Sequence, residues 1–74
     1  MNRAMLERHL AFAEAHVVQG KRLIEQQRVL IERLKVDGHD TREAERLLSN
    51  FRDAQAQHVH QLELVRHEIA ASKE

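Results

Sequence analysis

An all-α fold, in which two long helices turn back on each other as an antiparallel hairpin, is predicted by three features of this 74-residue sequence. Apolar and small residues recur in alternating steps of four and three along nearly all of it. One stop-and-restart signal, Asp37-Gly38-His39-Asp40-Thr41, interrupts that rhythm near the middle. Helix formers dominate, with no proline and only two glycines, and charged residues make up 32%. That bias belongs to long helices.

The first helix is predicted over residues 4–37. Its seam is Leu6, Leu10, Ala13, Val17, Gly20, Ile24, Gln27, Ile31 and Leu34, the heptad spacing of a helix packed against another. Leu23 and Leu30 run beside that seam and widen the apolar stripe beyond what one partner helix covers. Lys21 with Glu25, Arg28 with Glu32, and Arg33 with Asp37 are spaced for ion pairs on the solvated side.

The turn follows at residues 38–40. Gly38 carries no Cβ penalty in the left-handed conformation that closes many helices. Asp40 is the predicted N-cap of the second helix, and Glu43 reaches back to the Asp40 amide as in a capping box, with Thr41 as the competing cap. His39 stands at the exposed tip.

The second helix is predicted over residues 41–72, with Ala44, Leu48, Phe51, Gln55, His58, Leu62, Val65, Ile69 and Ser72 on its seam and Leu47 beside it. Folding about the turn pairs residues whose numbers sum to about 78. Gln27 then falls near Phe51, Gln55 near Leu23, and His58 near Gly20, where a glycine makes room for an imidazole. Polar groups on a seam cost free energy unless hydrogen-bonded, so Gln27, Gln55 and His58 are expected to fix one register. Phe12, with Met5, lies outside the main stripe, and the same pairing places Leu64 near Phe12.

Two helices cannot enclose a core between them, so dimerisation of hairpins into a four-helix bundle is expected across residues 1–74, a single domain. Several function classes are excluded or disfavoured. The chain has no cysteine, hence no disulfide and no thiolate metal site. Twelve basic residues balance twelve acidic ones, and no basic stripe interleaved with aromatics emerges, which argues against nucleic acid. No apolar run approaches membrane-span length, and the charged start lacks a signal-peptide pattern, so the cytoplasm is the expected location. Neither a nucleophile with a base nor a phosphate loop is present, and no catalytic residue or cofactor is assigned.

Six histidines are many for this length. His9 and His16, like His60 and His67, are spaced by seven, two turns apart, which is too far for two ligands of one ion. No metal site is assigned within the chain, while one assembled between two chains stays open. The leading expectation is a small non-enzymatic interaction or regulatory module, homodimeric, with a protein partner at the Phe12 and Leu64 end. An RNA-binding hairpin dimer and a histidine-dependent metal or pH response are the alternatives.

Gly20, Gln27-Arg28, the run Asp37 to Thr41, Leu47-Leu48 with Phe51, and Gln55 with His58 together resemble a group of short bacterial proteins, mostly alphaproteobacterial, with no established function. The likeness spans Gly20 to about Arg66, and it implies a shared helical hairpin without supplying an activity. Members of the group often carry histidine where this chain has Leu23, so any metal chemistry they share does not transfer directly.

Overall fold

The computed structural model describes residues 2–72. Both of its elements are helices: α1, Arg3–Val36, and α2, Arg42–Ala71. They lie antiparallel in a rod whose Cα extents are 59 × 14 × 13 Å.

Each end of each helix has a local cause. α1 starts where the Asn2 side chain accepts the Met5 N–H at 2.8 Å, satisfying one of the unpaired amides of the first turn. It stops at Gly38, whose φ of 76° lies in the left-handed region. The His39 N–H reaches back to the Leu34 carbonyl at 2.9 Å and the Gly38 N–H to the Lys35 carbonyl at 3.1 Å. That pair of bonds is the Schellman closure, and it satisfies two of the last carbonyls of α1. Arg33 and Lys35 in the final turn face the negative end of the helix dipole.

The start of α2 differs in detail from the expected capping box. Thr41 occupies the N-cap position, its carbonyl accepting the Glu45 N–H at 2.8 Å and its hydroxyl donating to the Glu45 carboxylate. The Asp40 carboxylate accepts the Arg42 N–H at 2.9 Å and also holds the Arg42 guanidinium. Glu43 turns away from Asp40 and pairs with Arg46 at 2.8 Å. A flexible glutamate gains more from a full positive charge within one turn than from a backbone amide further back.

The seam faces inward as the heptads require. Leu6, Ala13, Gly20, Gln27, Ile31, Leu62 and Val65 are buried, and the other seam positions are half-buried. Leu23 is half-buried beside them. Leu30 and Leu47, the remaining stripe-widening residues, are 45% and 43% exposed. A two-helix packing has no third wall to cover them.

The surface ion pairs re-sort as well. Arg28 pairs with Glu25 at 2.8 Å instead of Glu32, placing the acid N-terminal to the base, which is the better orientation in the helix dipole. The expected Lys21–Glu25 and Arg33–Asp37 pairs do not form. Among the described residues, no helix is long and apolar enough to cross a membrane.

Candidate functional site

Two grooves run along the hairpin, one on each side of the seam, and one is richer in charge than the other. Along one side, Glu14, Lys21, Arg28 and Lys35 of α1 follow one another at heptad spacing, facing Glu45, Arg52 and Arg66 of α2. The Glu14 and Arg66 side chains approach to 3.7 Å across this groove. Near the turn Glu25 and Glu32 line the same groove beside Val29, which is 57% exposed, so acids and bases are mixed there and no single sign of field accumulates.

The other side carries His9, His16, Leu23 and Leu30 at the same spacing on α1, and Leu47, Ala54 and Gln61 on α2. Near the turn its lining is Gln27, Leu30, Ala44, Leu47 and Asn50, with the Glu43–Arg46 pair on the rim. Toward the chain ends it is His9, Phe12, Ala13, His16, Gln61 and Val65. Phe12 is 62% exposed there. This side therefore presents partly apolar walls with its charges paired on the rim.

Between the grooves, the polar seam residues sit one layer away from the expected pairing. Gly20 faces Gln55 instead of His58: a Cβ on Gly20 would overlap the Gln55 amide. Gln55 donates from Nε2 to the Val17 carbonyl at 2.9 Å, not to a group near Leu23. Its Oε1 is buried without a hydrogen-bond partner and lies against the Gly20 backbone, where a Cα–H is the donor on offer. Gln27, only 7% exposed, donates to the Ala44 carbonyl at 2.8 Å, seven residues before the expected neighbour Phe51. His58, displaced from Gly20, sets its ring beside that of His16, centroids 5.2 Å apart.

At the open end Phe12 stands exposed on the groove wall. Gln61 and Val65 line the groove beside Phe12, whereas Leu64, 45% exposed, is not part of that lining. A sequence repeating every seven residues presents the same inward face after a slide of one layer, so the pattern alone is blind to this displacement.

His16 is the residue that spacing arguments passed over. It belongs to no ligand-spaced pair in the sequence, and only the observed register sets it against His58. Among the described residues, no group of three His, Asp or Glu side chains converges as a metal cage would. At the turn, the Arg42 guanidinium and then the Arg42 backbone N–H hold the Asp40 carboxyl below its ordinary range, and Asp40 in turn raises Arg42. Both groups are exposed, and their pairing anchors the start of α2.

No family model matches the chain, and no curated protein or solved structure does so either.

Proposed function

We propose that the protein is a small, non-enzymatic interaction module of the bacterial cytoplasm that works as a homodimer, two hairpins closing into a four-helix bundle. The observation that carries this reading is the asymmetry of the two grooves. Leu30 and Leu47 stand on the neutral side, each more than two-fifths exposed; Leu23 precedes Leu30 by one heptad, and Phe12 lines the same side toward the chain ends. Full burial of a leucine is worth about 1.5–3 kcal/mol, so covering these half-exposed side chains recovers roughly half of that at each position. A second copy brings the same strip and satisfies both at once. The charged groove stays in water, where its acids and bases keep the bundle dispersed. Phe12, beyond the Leu30–Leu47 patch, is the contact offered to a partner protein.

Light scattering across a dilution series tests this directly. The expected mass is twice 8.7 kDa, falling to 8.7 kDa in the Leu30→Glu, Leu47→Glu double variant while circular dichroism still reports helix. Arg52→Gln, in the charged groove, is expected to leave the mass unchanged. A wild-type mass of 8.7 kDa at every concentration, or a double variant that still dimerises, overturns the proposal.

A further inference from the structure

The register brings together two imidazoles that lie 42 positions apart, one on each helix, with ring centroids 5.2 Å apart and planes inclined at 53°. We propose that His16 and His58 form a two-imidazole chelate for a divalent transition-metal ion of the zinc, copper or nickel kind.

The distance is the first argument. Two imidazole nitrogens about 2.0–2.1 Å from one zinc ion, at a tetrahedral angle, place their ring centroids about 5 Å apart. The observed separation of 5.2 Å matches that requirement. The inclination is compatible as well, since rings sharing an ion need not be parallel. His58 is half-buried on the seam, so packing holds its ring in place. His16 is exposed, so an ion reaches the pair from solvent and the His16 ring turns to meet it.

Competing demands on the two rings are absent. Among the described residues, neither imidazole takes part in a side-chain hydrogen bond or an ion pair. The groove lining that includes His16 contains no lysine or arginine to repel a cation. Arg66, which reaches across toward Glu14, does so on the charged side of the seam. Imidazole ligands select zinc, copper and nickel over magnesium and calcium, which require oxygen cages. With no third side chain converging from this chain, water fills the remaining positions. The ion is therefore exchangeable, and it acts as a clasp between α1 and α2 that stabilises the hairpin by mass action.

The test is a zinc chloride titration of the full chain after treatment with a chelator, read by thermal melting and by the imidazole resonances of the six histidines. The expected result is a melting temperature raised by about 5–10 °C once zinc is well above its dissociation constant, reversed by chelator. Two imidazoles, His16 and His58, are expected to shift. His16→Gln should abolish both effects, and because His16 is exposed its loss leaves the helices folded. A variant carrying His60→Gln and His67→Gln should keep both. The proposal is overturned by an unchanged melting temperature at millimolar zinc, by a shift retained in His16→Gln, or by movement confined to the other histidines.

Discussion

The open end of the hairpin and its centre are held together by different chemistry. At the open end the seam is Leu6, Ala13, Leu62 and Val65, all buried, with Leu6 and Val65 only 3% exposed. At the centre it is Gly20, Gln27, Gln55 and His58. Apolar burial at the end is non-directional, and a slide of one layer would place other seam side chains against one another at small cost. The centre does not tolerate that slide. Gln27 of α1 bonds a backbone carbonyl of α2, and Gln55 of α2 bonds a backbone carbonyl of α1. Gly20 is the only glycine within either helix, so only one layer accommodates the Gln55 amide against bare backbone. Burial energy comes from the two ends of the seam, Ile31 near the turn included, and register comes from the centre.

The largest effect that separates these roles is predicted at the open end. Leu62→Ala removes a buried side chain and is expected to cost about 2–4 kcal/mol, within the range for leucine truncations in a packed core. Urea denaturation at fixed protein concentration checks it, since the concentration matters if hairpins associate. The bond between Gln27 and Ala44 lies far from the substitution and should persist, visible as an unchanged resonance for the Gln27 side-chain amide. Loss of that signal together with stability would mean that the open end also sets the register.

A smaller effect is predicted where the centre is tightest. Alanine is favoured over glycine in a helix by about 1 kcal/mol. At Gly20 that gain is opposed, because the new methyl displaces the Gln55 amide and breaks its bond to Val17, a loss of about 0.5–1.5 kcal/mol. Gly20→Ala should therefore be near neutral in the wild-type chain but stabilising by about 1 kcal/mol in a Gln55→Ala background, where nothing blocks the methyl. A thermodynamic cycle of the four proteins measures the coupling. Purely additive effects would mean that Gln55 does not rest on Gly20.

How much of this was legible follows from the same division. Which side of each helix faces inward is written in the heptads, and Leu6 through Leu34 and Ala44 through Ser72 take their places accordingly. The stop at Gly38 is equally plain, because one residue type suits that backbone conformation. Register was not legible: Gln27, Gln55 and His58 were each identified as seam polars yet assigned to the wrong neighbours, because a seven-residue repeat looks the same after sliding by a layer. Gly20 beside a long amide was the usable clue, and it served an imidazole equally well on paper. The His16–His58 pair was hidden for that reason alone. The start of α2 was ambiguous on another ground, since Asp40 and Thr41 are both good caps and only local geometry chooses between them.

The smallest predicted effect lies at the turn, where neither burial nor register is at stake. Asp40 is exposed, and its carboxyl titrates below the ordinary value of 3.8 because the Arg42 guanidinium and backbone N–H favour the charged form. A carboxyl depressed in the folded state contributes stability above its unfolded value, and loses it as the pH falls through the lower folded value. Asp40→Asn keeps an acceptor for the Arg42 N–H but removes the charge. Wild type is therefore expected to melt slightly above the variant at neutral pH, with the gap closing in acid below pH 3.8. Salt should shrink the gap as well, since both partners stand in water. A gap that persists in strong acid would assign the effect to the shape of the turn and not to the charge of Asp40. Neither outcome should alter the Gln27 or Gln55 bonds, which places the turn outside the machinery that fixes register.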